Sequence, residues 1–261
     1  LDPLGRVIEA PPPPEAPRWV AVPAMDSLPR AWAQPLAAAG AMHLDTLVDR
    51  IEPDALHPRR WQLRISGDQA DVRVHSGFDA VLLAVPAPQA ARLLERSHLA
   101  PAFAERVRQV EMAPCWTLML AFPQAVQPGL GRLGPQWNAA LSTHHRIAWL
   151  ARESSKPGRG AVERWTVQAS PEWSTEHFGD DEPRVEAKLL KAFAEVTGIR
   201  AQPGHAQVQR WRHAKTLRPL GRSHLWDARI GVGACGDWCL GHRVEDAFVS
   251  GLELALAALA P

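Results

Sequence analysis

The chain has no tyrosine and only three cysteines, Cys115, Cys235 and Cys239, among its 261 residues. Three cysteines are too few for a disulfide framework, which favours a reducing compartment, and we expect the cytoplasm. No apolar run approaches the roughly 20 residues that span a bilayer, because charged residues, His or Pro interrupt each one. The 29 Lys and Arg balance the 28 Asp and Glu, so no overall field favours nucleic acid or an acidic membrane. We expect a globular protein that holds any anionic ligand locally.

The patterns that would indicate a metal or a nucleophile are weak. The spacing Cys235-x3-Cys239-x2-His242 fits no common structural zinc site. His144 and His145 are more typical of a polar turn than of a ligand pair. No Ser-His-Asp or paired-carboxylate arrangement is recognisable by spacing. The sequence therefore predicts no metal site and identifies no catalytic side chain.

Hydrophobic residues make up 46% of the chain, enough to bury the cores of one or two domains. An uninterrupted apolar run at 80–85, between Asp79 and Pro86, predicts a strand buried on both faces. Pro88 then suits the first turn of a helix. Strands at 117–122, 146–151 and 162–169 indicate a mainly antiparallel sheet, and an apolar stripe predicts a helix over 183–197 that ends at Gly198.

Other segments complete the predicted secondary structure. Strands are expected at 43–51, 61–65 and 72–75, and an extended segment at 206–213. A helix is expected from Asp26 or Ser27 to about Leu36, ending at Gly40. Two extended runs, 4–9 and 18–22, predict a hairpin whose tip is the proline run 11–14.

The most informative stretch is near the C-terminus. Residues 230–235 predict a strand with one nearly bare face, so another element is expected to pack closely on it. Asp237 follows Gly236 at the end of this strand, where a carboxylate can accept a hydrogen bond from a ligand hydroxyl. A helix predicted from about Val244 would place unsatisfied amides and a positive dipole end beside Asp237. Gly251 within that helix predicts a further close contact.

Gly236-Asp237, followed by a loop and a helix containing Ala247 and Ser250-Gly251, resembles the second flavin motif of glutathione-reductase-like FAD proteins. The resemblance implies that Asp237 binds the ribityl or pyrophosphate part of FAD. It also implies that amides near the start of the helix stabilise the reduced flavin anion. The implied cofactor-binding residues are Val48, Ala84, Pro86, Gly236, Asp237, Arg243, Val244, Glu245 and Ala247. The alternative is that Asp237 merely ends a strand and that Val48 is a core residue.

Further segments resemble bacterial renalase-like proteins of the flavin amine-oxidase superfamily. They include 84–89, 149–152, 155–159, 168–170 and 236–245. The resemblance implies oxidation of 2- or 6-dihydro isomers of NAD(P)H to NAD(P)⁺, with hydride passing to flavin N5 and electrons to O2, giving hydrogen peroxide. Basic residues near two tryptophans are candidates for holding a phosphate-bearing substrate: Trp149, Lys156, Arg159, Arg210, Trp211 and Arg212. The alternative is that the basic residues form a solvated face.

The resemblance implies an α/β fold with an incomplete glutathione-reductase-like FAD-binding domain, 24–100 and 225–261, and an antiparallel substrate domain, 1–23 and 101–224. Such proteins open with a G-x-G-x-x-G turn that holds the pyrophosphate, and none precedes Leu1. The internal matches at 129–134 and 231–236 lack the strand–turn–helix context. We therefore expect this chain alone to carry little FAD. Two alternatives are an amine or porphyrinogen-type oxidase on the same scaffold and a non-catalytic remnant.

Overall fold

A computed structural model describes residues 1–9, 19–66, 73–126 and 137–260 of the chain. The α-helices in these ranges are α1 (Ser27–Ala38), α2 (Ala87–Arg96), α3 (Pro101–Arg108), α4 (Pro171–Glu176), α5 (Glu182–Thr197) and α6 (Val244–Leu259). The strands are β1 (Val48–Pro53), β2 (Trp61–Ile65), β3 (Arg73–Phe78), β4 (Val81–Leu83), β5 (Glu111–Phe122), β6 (Ala139–Leu141), β7 (Ile147–Arg152), β8 (Glu163–Ala169), β9 (His205–Arg218), β10 (Leu225–Asp227) and β11 (Val232–Ala234). No helix in the described ranges is long and apolar enough to cross a bilayer.

The chain divides into two compact units. Unit 1 comprises Leu1–Met42 and Pro114–Arg212, and unit 2 comprises His43–Ala113 and His213–Pro261. These boundaries differ from the predicted ones, because α1 belongs to unit 1 and α3 to unit 2. The physical reason for the second difference is packing: Ala104 and Val107 of α3 share a buried cluster with Leu94 of α2.

Unit 1 is built on a five-stranded sheet in the order β6-β7-β8-β5-β9. Its β6–β7, β7–β8 and β8–β5 pairs are antiparallel, as predicted. Helix α5 buries its apolar stripe, including Leu189 and Phe193, in the same core as Trp165 of β8. The Asp181 side chain caps the start of α5 by accepting from the Arg184 amide at 2.9 Å, and Gly198 ends it at φ 75°.

Unit 2 contains two small sheets. One is the antiparallel sheet β1-β2-β3, and the other has the order β10-β11-β4, in which β11 runs parallel to β4 and antiparallel to β10. Pro86 caps α2 and Pro88 lies in its first turn, as predicted. Trp238 is 1% exposed and packs in the same cluster as α2 and α3, so it fixes the segment after β11 to the core.

Several predicted details are wrong. Residues 4–9 and 19–22 form no strand. In the first range, the Asp2 carboxylate accepts from the Leu4 and Arg6 amides and holds a turn instead of a hairpin arm. The predicted proline tip at 11–14 lies outside the described residues, as does the start of the predicted strand 72–75. Segment 80–85 is not buried on both faces: Leu82 is 42% exposed, and β4 is an edge strand among the described residues.

The glycines of the C-terminal stretch have separate roles. Gly231 lies in the turn between β10 and β11 at φ 63°, so the strand is shorter than predicted. A Cβ on Gly233 would lie 2.7 Å from Leu254 Cδ1 and 2.9 Å from Trp226 Cε3, which explains the bare strand face. Apart from its chain neighbours and the nearby backbone of α6, no described residue has an atom within 4 Å of a Cβ at Gly251. The predicted close contact at Gly251 is therefore wrong among the described residues.

We expect Gly233→Ala to destabilise the chain by about 1–3 kcal/mol, because the added methyl overpacks the β11–α6 contact. The matched substitution Gly251→Ala should stabilise it by roughly 0.5–1 kcal/mol through helix propensity, because the site is open. Thermal and urea unfolding followed by circular dichroism measure both. Equal effects of the two substitutions would contradict this assignment of the β11–α6 contact.

Candidate active site

The segment after β11 is held in place by a chain of hydrogen bonds. The Gly236 amide donates to Ser250 Oγ at 2.9 Å, and the Ser250 hydroxyl donates to the Ser223 carbonyl at 2.5 Å. Trp238 Nε1 donates to the Val85 carbonyl at 3.0 Å. A Cβ on Gly236 would lie 2.3 Å from Trp238 Nε1, so only glycine fits beside this anchored indole. The segment is therefore fixed to α6 and to the end of β4.

Asp237 lies at the exposed side of this anchored segment. Its Oδ1 accepts from the Trp238 amide at 2.8 Å, and no described residue donates to Oδ2. The side chain is partly buried, and burial raises its pKa above the ordinary value, with a smaller contribution in the same direction from the Asp246 carboxylate. A partly desolvated carboxylate with a free oxygen is a suitable acceptor for a ligand hydroxyl.

Helix α6 begins at Val244, seven residues after Asp237. Asp246 Oδ2 accepts from the His242 and Arg243 amides at 3.0 and 2.9 Å, and a Cβ on Gly241 would lie 2.5 Å from that oxygen. This carboxylate holds the loop tightly against the helix. The bond to the Arg243 amide is half of a capping box, so the amide at the N-cap is satisfied, and the positive end of the helix dipole lies here beside the acidic residues Glu245 and Asp246.

The structure brings several of the predicted cofactor residues together. Ala84 and Pro86 lie next to the Gly236-Asp237 segment, because the Cys235 amide donates to the Leu83 carbonyl at 3.0 Å and Trp238 binds Val85. The predicted residues at the start of α6 are on the surface: Arg243, Val244, Glu245 and Ala247. Val48 begins β1 on the other sheet of unit 2.

Sequence reasoning missed the roles of Ser250 and Trp238. Ser250 is fully buried in α6, and its hydroxyl joins two backbone groups. A lone serine on the helix face that meets a glycine-rich strand was the available signal. The burial of Trp238 had no comparable signal.

The two cysteines that flank Asp237 are not reactive groups. Cys235 and Cys239 are buried, and burial raises the pKa of both thiols, for Cys239 to about 11. A thiol with such a pKa carries almost no thiolate at neutral pH. In the described ranges, no group of three or more His, Cys, Asp or Glu side chains could hold a metal ion.

The predicted substrate residues lie at several separate places in unit 1. Trp149 is partly buried on β7. Arg210 and Arg212 on β9 stack over the Phe178 ring, with guanidinium carbons 5.0 and 4.9 Å from its centroid, and Trp211 between them is 54% exposed. Lys156 binds the Glu153 carboxylate at 2.7 Å.

Arg159 borders a cavity of about 340 Å³ in unit 1. The cavity is lined by Pro23, Ala24, Met25, Met119, Leu120, Ala121, Glu153, Arg159, Arg164, Trp165, Thr166 and His205. Arg164 was not among the predicted site residues. The volume of the cavity is within the range of small-molecule sites.

The sequence matches the family model described as flavin containing amine oxidoreductase over residues 14–259. The chain belongs to this family. The predicted membership of the flavin amine-oxidase superfamily is therefore confirmed.

Two solved structures resemble the chain at fold level. A protein assigned as a protoporphyrinogen oxidase from Exiguobacterium sp. 255-15 has a TM-score of 0.63 and 15% identity, covering 88% of this chain and 51% of that one. Cyclohexylamine oxidase from Brevibacterium oxydans IH-35A has a TM-score of 0.60 and 17% identity, covering 85% and 50%. The predicted α/β fold with antiparallel sheets is confirmed. This chain spans about half the length of both structures.

The described residues fit one part of a flavin site. The partly buried Asp237 carboxylate suits the hydroxyls of a flavin, and the positive dipole end of α6 suits its negatively charged edge. A pyrophosphate turn is not found in the described ranges: Gly231 is in a hairpin turn, Gly233 is inside β11, and the long helix begins only at Val244. The motif at 129–134 lies outside the described residues.

We expect Asp237→Asn to stabilise the flavin-free chain increasingly as pH rises from 4 to 7. The folded-state pKa of Asp237 is raised, so its contribution to stability is present below the unfolded pKa and is lost as pH rises through the folded pKa. Asparagine keeps the acceptor for the Trp238 amide and cannot ionise. Melting temperatures of both proteins across this pH range measure the difference.

Asp227→Asn provides a control of opposite sign, because the Arg229 side chain lowers the pKa of Asp227. The ionised Asp227 stabilises the fold above its unfolded pKa, and that contribution is lost as pH falls, so this variant should lose stability at neutral pH. If Asp237→Asn behaves like Asp227→Asn, the pKa assignment is wrong.

Proposed function

We propose that the chain is part of an FAD-dependent oxidase that acts on isomeric dihydronicotinamide dinucleotides, as renalase-like proteins do. Family membership supports flavin chemistry. The observation that carries the cofactor assignment is the position of Asp237, whose partly buried side chain follows the end of β11 and precedes the start of α6.

Each residue of this segment has a distinct part in the proposal. Asp237 Oδ2 accepts a hydrogen bond from a ribityl hydroxyl, and the first-turn amides of α6 stabilise negative charge on the reduced cofactor. Trp238 and Ser250 position the segment through their bonds to Val85 and Gly236. When bound, the flavin supplies the hydride acceptor and passes electrons to O2, giving hydrogen peroxide.

Two exposed surfaces of unit 2 support the proposal that the oxidase includes further polypeptide with the pyrophosphate turn. Strand β4 is an edge strand among the described residues, with Leu82 42% exposed. On α6, Leu252, Leu256 and Leu259 are 47%, 60% and 82% exposed. Apolar surface on a parallel edge strand and along a helix is typical of contacts between parts of one fold.

The second candidate is an amine or porphyrinogen-type oxidase, which the two structural relatives favour equally at the level of the scaffold. The charge of unit 1 bears on this choice. Its cavity has two arginines and one glutamate among its lining residues. A cationic lining favours an anionic substrate over a simple amine, which is itself a cation at neutral pH.

Anaerobic reduction of the flavin-loaded oxidase tests the proposal. We expect the 2- or 6-dihydro isomers of NAD(P)H to bleach the flavin and yield NAD(P)⁺, with hydrogen peroxide formed when oxygen is admitted. Simple amines should leave the flavin oxidised. Stopped-flow absorbance at the flavin band measures the reaction, and normal NADH serves as the control isomer.

Bleaching by a monoamine or by a porphyrinogen, without bleaching by the dinucleotide isomers, would contradict the proposed substrate and favour the second candidate. Absence of bleaching by all of these compounds would leave the non-catalytic alternative as the better account.

A further inference from the structure

The cavity in unit 1 lies on the face of the sheet opposite to the core. Residues paired across β5 and β8 share a face, and the pairs Met119–Thr166 and Ala121–Arg164 alternate with core residues such as Leu120. Met119, Ala121, Arg164 and Thr166 all line the cavity. Trp165 also borders it, but its indole packs at 5.5 Å from the Phe193 ring in the core. The cavity is therefore formed by the outer face of the sheet and the segments that cover it.

Arg159 and Arg164 each carry a buried donor with no acceptor in the described part of the chain. Arg159 Nη2 donates to the Ala21 carbonyl at 2.9 Å, whereas its buried Nη1 has no partner. Arg164 Nη2 donates to the Arg159 carbonyl, whereas its buried Nε has none. Both arginines line the same cavity with a buried donor left unsatisfied, which is costly unless an anion binds them.

The neighbouring cations do not share this property. Arg152 donates to both oxygens of the buried Glu163 at 2.7 and 2.8 Å, and Lys156 is paired with Glu153. Among the described residues, neither Arg159 nor Arg164 forms an ion pair with a carboxylate. The two nearby carboxylates are thus already paired with other cations, and the two unpaired arginines are the ones that line the cavity.

The loop that carries Arg159 is shaped to hold it at the cavity. Gly158 adopts φ 70°, and a Cβ there would lie 2.6 Å from Val22 Cγ1. Only glycine allows both this backbone conformation and this close approach to the 21–22 segment. At the other end of the loop, Ser154 Oγ donates to Glu163 at 3.0 Å. Both ends are therefore fixed, and the Arg159 side chain is positioned before any ligand binds.

We propose that Arg159 and Arg164 form an oxyanion site that binds the anionic group of the substrate. Guanidinium groups bind phosphoryl and carboxylate oxygens through paired N–H donors. A dinucleotide supplies the first and a porphyrinogen side chain the second, whereas a simple amine supplies neither. The inference rests on the proposed function only in taking the ligand to be the substrate; the site itself follows from the unpaired donors.

Thermal-shift titration of the 261-residue chain tests the site without flavin. The probes are inorganic pyrophosphate and succinate, each at ionic strength matched with sodium chloride. We expect one of them to raise the melting temperature saturably in the wild type. Arg159→Gln and Arg164→Gln should weaken that response about tenfold or more, the loss expected for one charge-assisted hydrogen bond. Arg200→Gln, at an exposed arginine of unit 1 outside the cavity lining, should keep it.

Without probe, the Arg159 and Arg164 variants should melt no lower than the wild type, because each removes a buried N–H donor that has no acceptor. If a variant fails to fold, phenylglyoxal labelling of arginine side chains in the wild-type protein tests the site instead. The bound probe should then protect Arg159 and Arg164, but not Arg200, from modification detected by mass spectrometry.

A response to pyrophosphate identifies a phosphoryl site and a response to succinate a carboxylate site; either supports the proposal. Three outcomes would overturn it: no response to either probe beyond that of sodium chloride, an undiminished response in both variants, or equal protection of Arg200. None of these measurements involves the flavin. If the anion site is confirmed but the flavin-loaded oxidase does not react with the dinucleotides, the proposed substrate is contradicted and the anion site is not.

Discussion

The hydrogen bond from the Gly236 amide to Ser250 is the contact on which the rest of the flavin segment depends. It joins the end of β11 to the interior of α6, and the same hydroxyl continues to the Ser223 carbonyl. The contact is possible only because β11 is bare at Gly233, where Leu254 of α6 packs closely. With the helix at this distance, Asp237 and the start of α6 are both fixed without any bond between them.

Ion pairing in unit 1 follows a different constraint. The Arg152–Glu163 pair is nearly buried and bidentate, so removing either partner would leave an uncompensated charge. This pair and Lys156–Glu153 stabilise the loop at 153–160. Arg159 and Arg164 lack such partners, which is a destabilising arrangement in an empty fold. Residues that reduce stability locally are often retained for binding, and this distinguishes the two arginines from their neighbours.

Much of the fold was predictable because local signals agreed. Helix α5, with its N-terminal cap and apolar stripe, occurs as predicted. Strands β7 and β8 and helix α2, with proline in its first turn, do so too. The absence of the predicted N-terminal hairpin was not foreseeable, because strand patterning does not show that the Asp2 carboxylate binds the Leu4 and Arg6 amides. The exposure of Leu82 was missed because an apolar run carries no information on which neighbours pair with it.

The position of the candidate flavin segment was predictable in part. Local glycine and helix patterns indicated Gly236, Asp237 and the start of α6, and their role as cofactor residues, which the resemblance implies, stays a prediction. Arg164 was missed because it looks like an ordinary polar residue of an alternating strand. Arg152 and Lys156 already pair with Glu163 and Glu153, so Arg164 has no counter-ion among the described residues, and only the structure shows this.

The most direct test of the central claim is flavin retention by the oxidase with Asp237→Ala. Losing one charge-assisted hydrogen bond should weaken flavin binding by about 1.5–3 kcal/mol, roughly ten- to a hundredfold. Asp79→Ala, at a side chain 81% exposed in the same unit, should leave binding unchanged. Equilibrium dialysis followed by flavin absorbance measures both. Equal flavin occupancy in the Asp237→Ala and wild-type proteins at limiting FAD would contradict the account.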